Sequence, residues 1–315
     1  MIDCHTHFIP EAVQTWLRDH KEQLNAKWIP KGHDKTLLSI NNKWAFPLTL
    51  PFIDINLYEK TYREAQVKQA IISPVPQLFL YDFESNVTNE LVTVYNRALS
   101  EITSHNDTFS GLATVSLQNP VRAAEQLETA MNQGLLGAII GPGVRTDTLS
   151  NERFIPFFEA ANKRKALIFI HPLLNEDPRL SQRKMPNLIG VPFETTIAGT
   201  DLILSGMLDR FPDIHFLLAH GGGFLPYQLG RMEKGVDSWS SEYNHLSRRP
   251  LEYAKQLYFD SVLWSDDAME LLVKTVGVSQ IIPGSDFPFE LKQWPLGPES
   301  ANTRPRFLQV NQPSK

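Results

Sequence analysis

The sequence predicts a (β/α)8 barrel, a TIM-type α/β fold, built as one domain over residues 1–315 with an insertion after the first strand. Two observations predict it. Short apolar runs alternate with amphipathic stretches, and the alternation repeats eight times. The runs are apolar on both faces, the pattern of parallel strands covered by helices.

In chain order the runs are Met1–His5, Ala70–Val75, Gly111–Val115, Gly137–Gly141, Ala166–His171, Ile214–His220, Leu257–Val262 and Gln280–Ser285. Eight repeats favour a closed barrel over an open doubly wound sheet. Between the runs, Leu91, Tyr95, Ala98 and Ile102 recur at spacings of three and four, one stripe of a helix. Asn119 followed by Pro120 reads as an N-cap and an N1 proline, leading into Ala123, Ala124, Leu127 and Met131. The stretch Asp267–Val276 ends at Gly277, a C′ glycine. Residues 12–56 are too long for a plain strand-to-helix connection and hold Trp16, Trp28 and Trp44, so an insertion covering the top of the barrel is expected there. The proline-rich stretch 290–315 offers at most a weak last helix.

Composition narrows the class. Hydrophobic residues make up 42% and charged residues 21%, ordinary for a soluble globular chain. The net charge of −5 carries no block of like charge, which points away from nucleic acid and anionic membrane partners. Cys4 is the single cysteine, so no internal disulfide is available. The chain opens without a signal-peptide pattern, and no apolar run reaches bilayer length; a cytoplasmic setting is expected.

The chemistry gathers at strand ends. His5 and His7 are two apart, so on a strand both imidazoles share a side. His171 and His220 close the fifth and sixth runs, and Asp286 follows the eighth. A lone His-x-His pair is weak, but five such residues at the same end of four strands mark the barrel face that carries active sites. Two imidazoles on one side of a strand's C-terminal end can grip one metal. His215 begins the sixth run and belongs to the opposite face; His20, His105 and His245 lie in polar stretches, and His33 lies in the insertion. Cys4 alternates with His5 and is expected to face the helices as an inert thiol.

Met-Ile-Asp-Cys-His5-Thr-His7, Ile170-His171-Pro172, Ala219-His220-Gly-Gly-Gly223 and Gly284-Ser285-Asp286-Phe-Pro-Phe289 together resemble the signatures of the amidohydrolase superfamily. More narrowly the chain resembles the amidohydrolase-2 group that includes aminocarboxymuconate-semialdehyde decarboxylase; Gly190–Thr196 and Arg210–Ile214 also match it. The resemblance implies that His5, His7, His171 and Asp286 are metal ligands, with Asp286 also part of the catalytic machinery, and that His220 is the acid/base. It implies one metal per chain, zinc or alternatively manganese, and a homodimer. Gly141 ends the fourth run with no lysine there, so the bridging carbamylated lysine of binuclear relatives is absent. The implied activity is metal-dependent decarboxylation of a small unsaturated or aromatic carboxylic acid; hydrolysis of a small amide, lactone or ester is the alternative that the same ligands serve.

Departures from the group's pattern bear on the substrate. Thr49, Trp239 and Asn187 stand where the semialdehyde decarboxylase has two arginines and a tryptophan, so that semialdehyde is not the expected substrate; Arg248 or Arg249 are the candidate replacements. Gly221–Gly223 reads either as an anion nest or as a tight turn clearing His220. Glu194 either orients a ligand or is a surface or capping residue. Asp260 bonds a ligand or the substrate. Phe287 and Phe289 line a pocket or pack the core.

Overall fold

A computed structural model describes residues 1–32, 36–294 and 296. His33 and most of the stretch 290–315 fall outside the described residues, as does the side chain of Trp44.

Eight parallel strands form the barrel, numbered here in chain order: β1 Ile2–His7, β2 Gln69–Ser73, β3 Phe109–Gly111, β4 Gly137–Ile140, β5 Leu167–Ile170, β6 His215–Leu218, β7 Tyr258–Asp260 and β8 Ile281–Ile282. Parallel ladders join β1 to β2 to β3, and β4 through to β8. Two isolated bridges close the ring: Ala113 with Ala138 links β3 to β4, and Thr6 with Phe287 links β8 to β1. The second seam is reinforced where Cys4 N–H donates to Pro283 O at 2.7 Å and Asp286 N–H to His5 O at 2.8 Å. Closure therefore places Asp286 directly beside the His-x-His strand.

The helices expected from periodicity are present. One runs Ser85–Ser104 and buries Leu91, Tyr95, Ala98 and Leu99. Another spans Pro120–Asn132, and the Asn119 side chain accepts from Arg122 N–H as its N-cap. A third spans Asp266–Val276; Ser265 caps its start and Gly277, at φ +90°, ends it. No helix among the described residues is long and apolar enough to cross a membrane.

The insertion is a helix, Glu11–Asp19, followed by an antiparallel sheet of Lys27–Pro30, Thr36–Ile40 and Lys43–Leu48. Its sheet is clasped across the barrel mouth by Lys43, which reaches Asp82 after β2 at 3.0 Å and Glu176 after β5 at 2.7 Å. His20, although in a polar stretch, is half-buried and stacked on Trp16.

Candidate metal centre

Each side chain of the centre leaves the C-terminal end of a strand. His5, His171, His220 and Asp286 bring one donor atom each within 4.8 Å of one another, and all four are buried. His7 joins them: its Nε2 lies 3.1 Å from His5 Nε2 and 3.4 Å from Asp286 Oδ1. All five residues singled out from the sequence thus converge on one point.

The imidazoles are aimed from behind. His5 Nδ1 bonds Asp260 Oδ2 at 2.5 Å, His7 Nδ1 bonds Pro74 O at 3.1 Å, and His171 Nδ1 bonds Pro172 O at 2.8 Å. Each acceptor holds the proton on Nδ1 and turns the Nε2 lone pair toward the centre. The Nε2 atoms of His5 and His7 stand 3.1 Å apart, close enough to share one cation, or a proton when no cation is bound. His171 Nε2 and Asp286 Oδ1 are buried with no hydrogen-bond partner. Buried polar atoms are rarely left so, and a divalent cation satisfies them together. The donor set fits a metal.

Electrostatics follow the same geometry. Burial pushes the His5 imidazole down, but the Asp286 and Asp260 carboxylates outweigh it and raise its pKa to about 10. Burial, with the neighbouring imidazolium charges, holds His171 well below the ordinary range. Burial lowers His7. Asp286 sits well below the carboxylate range because the surrounding histidines overcome its desolvation.

Asp260, open between two roles from sequence, supports a site imidazole. Beyond His5 Nδ1 it accepts from the backbone N–H of His220 at 2.8 Å, Gly221 at 2.9 Å and Val262 at 3.0 Å. One buried carboxylate therefore fixes the His5 tautomer and the turn that presents His220. Asp260→Asn is expected to lower metal affinity about 10- to 100-fold, read by competition with a calibrated chelator.

The structure also recruits Asp3, which sequence reasoning passed over. Asp3 Oδ2 accepts from Ser285 Oγ at 2.5 Å and Tyr62 Oη at 2.8 Å; Oδ1 accepts from Ser285 N–H at 3.0 Å. Burial raises its pKa to about 6 against those bonds. It locks the strand of His5 and His7 to the residue before Asp286. A buried carboxylate in an apolar strand was the available signal. The ladder is irregular between Asp3 and Thr6, so simple alternation does not hold in this strand. The Cys4 thiol is buried and points to Ile282 O at 3.7 Å.

Gly221–Gly223 is a turn rather than an anion nest. The three N–H groups donate to Asp260, Ala219 O and His220 O. All three glycines have positive φ, and a Cβ on Gly223 would meet Pro192 O at 2.1 Å. Glu194 neither bonds a ligand nor caps its helix: it accepts from Asn175. Phe287 packs in the core with Tyr58 and Tyr62, whereas Phe289 sets its ring 5.1 Å from that of His7. Thr49 and Lys292 line a cleft of about 450 Å³ between the insertion and the segment after Asp286, beside the histidine cluster but not on it. Arg249 is paired with Glu233 at 2.7 Å and Asp237 at 2.6 Å, and Arg248 with Asp209 at 3.5 Å. Both candidate replacement arginines are thus engaged by carboxylates of their own chain.

A family model described as Amidohydrolase matches residues 2–305. The chain is 28% identical over 300 residues to 2-amino-3-carboxymuconate-6-semialdehyde decarboxylase of Dictyostelium discoideum, covering 92% of this chain and 82% of that protein. It is 29% identical over 304 residues to decarboxylase yanB of Aspergillus niger, covering 91% and 77%. Among solved structures, 5-carboxyvanillate decarboxylase of Novosphingobium aromaticivorans complexed with manganese superposes with a TM-score of 0.77 at 20% identity, over 92% and 86% of the two chains. That likeness shows the barrel fold.

Proposed function

Because the chain belongs to the amidohydrolase family over nearly its whole length, we propose that it is a metal-dependent decarboxylase of a small aromatic or unsaturated carboxylic acid. The observation that carries the reading is the convergence of His5, His7, His171, His220 and Asp286 on one buried point with unpartnered donor atoms. The ligand set serves hydrolysis equally well, and the decarboxylases among the relatives tip the choice toward a carbon–carbon lyase.

His5, His7, His171 and Asp286 would hold one divalent cation, zinc by the chemistry of three imidazoles and a carboxylate, with manganese the alternative. When bound, it supplies Lewis acidity toward a substrate oxygen. His220 moves the proton. Its Nε2 lies 3.7 Å from Asp286 Oδ2, and its Nδ1 is buried without an acceptor. The other three histidines are each locked at Nδ1. An unlocked ring can carry its proton on either nitrogen, as an acid/base requires. Delivered to the carbon that bears the carboxylate, that proton lets the carbon–carbon bond electrons leave CO2 behind.

A homodimer and a cytoplasmic setting belong to the same proposal. Leu188, Ile189, Phe193, Phe224 and Tyr227 are exposed on the adjoining helical segments that follow β5 and β6, apolar surface that a second subunit would cover. Sedimentation tests the assembly.

The deciding experiment is elemental analysis of the purified protein, then a panel of aromatic and unsaturated acids, lactones and esters assayed in parallel. About one zinc or manganese per chain with CO2 released and no water consumed is the expected result. Turnover confined to the lactones and esters would make the enzyme a hydrolase.

A further inference from the structure

Trp264 stands at the mouth immediately after β7, and no part of the metal centre requires it. Its indole lies nearly parallel to the His220 imidazole, 18° apart with ring centroids 6.3 Å apart. The side chain is 53% exposed, so burial of apolar area does not account for its position. Its backbone adopts φ +54°, a conformation that costs a bulky residue and persists only where the surroundings impose it. The surroundings do impose it. Trp264 Nε1–H donates to Leu291 O at 2.7 Å. Gln293 Oε1 accepts from Leu263 N–H at 3.2 Å and Trp264 N–H at 3.4 Å. Gln293 N–H donates in turn to Ser285 O at 2.8 Å, next to Asp286. The segment that carries Asp286 thus also pins the tryptophan. Across the centre, Phe289 sets its ring against His7 and Phe52. The centre lies between two aromatic side chains, one of them strained, fastened and half open to solvent.

We propose that Trp264 is a specificity-determining wall of the substrate site, a flat face that selects planar conjugated acids over saturated acids of the same charge and size. The proposal rests on reading the centre as a site for carboxylates. Stacking contributes roughly two- to tenfold in affinity beyond area burial, and a saturated ring cannot gain it.

The test is calorimetric binding of benzoate and of cyclohexanecarboxylate to the metal-loaded protein, with wild type, Trp264→Ala and Trp264→Phe compared at equal metal content. Wild type is expected to prefer benzoate. Trp264→Ala should weaken benzoate roughly two- to tenfold more than it weakens cyclohexanecarboxylate, and Trp264→Phe should restore most of the preference. Equal loss for both acids in Trp264→Ala, no loss for either, or a phenylalanine variant no better than alanine would overturn the proposal while leaving the carboxylate site standing. Wild type binding neither acid would overturn both.

Discussion

Asp286→Asn is expected to empty the centre of metal. Asp286 contributes the single carboxylate among the proposed ligands, and its Oδ1 lies 3.3 Å from His5 Nε2 and 3.4 Å from His7 Nε2. An asparagine keeps the shape and tolerates the local φ of +60°, so the change tests charge and ligation rather than backbone strain. Loss of a supporting residue such as Asp260 costs about 10- to 100-fold in metal affinity, and loss of a direct anionic ligand is expected to cost more. The variant also leaves buried imidazoles without the carboxylate that now offsets their charge. Elemental analysis after dialysis against a chelator is the check, with His171→Ala as the neutral-ligand comparison. Metal retained at the wild-type level in either variant removes that residue from the ligand set.

The barrel was legible because its strands are apolar on both faces. Leu167–Ile170 and Gly137–Ile140 are fully buried and were placed within a residue or two. The third strand was placed too late, at Gly111–Val115, whereas the regular strand runs Phe109–Gly111. Residues 112–115 are just as apolar, but beyond the strand the Asn96 side chain takes over the backbone pairing. It accepts from Thr114 N–H at 2.9 Å and donates to Thr114 O at 3.0 Å, and no local pattern announces a partner eighteen residues away. The insertion was visible as excess length, yet its sheet was not, since Pro30 and Pro47 interrupt strand-like runs.

The site divided in a similar way. Residues whose position follows from the strand they end, such as His171 and His220, could be read from one dimension. Supporting residues were legible only in part, because their partners come from other strands: Asp260, which reaches His5 and the Gly221 turn, stayed open between ligand and substrate, and Asp3, which reaches Ser285, was passed over. Only closure of the barrel between β8 and β1 makes Asp3 and Ser285 neighbours. A position-by-position reading therefore finds the donors and leaves what aims them open, as with Asp260, or unseen, as with Asp3.

His220→Asn should keep the metal and lose turnover, about 10²- to 10⁴-fold in kcat, the usual contribution of a positioned acid/base. The geometry leaves His220 two identities. Its Nε2 is close enough to the other donors to be counted with them, which would make it a fifth ligand. Yet its Nδ1 has no acceptor, whereas each imidazole proposed as a ligand is locked by one. It also occupies a backbone φ of +53°, held by Asp260, so its ring is positioned by the turn and remains free to exchange protons. Asparagine suits that φ and cannot shuttle a proton at neutral pH, which isolates the ring's chemistry from the turn's stability. Metal content and CO2 release measured on the same preparation separate the identities. Full metal with turnover lost makes His220 the proton carrier. Metal lost along with the ring makes it a ligand, and the proton must then come from elsewhere. Full metal with turnover retained removes His220 from the reaction.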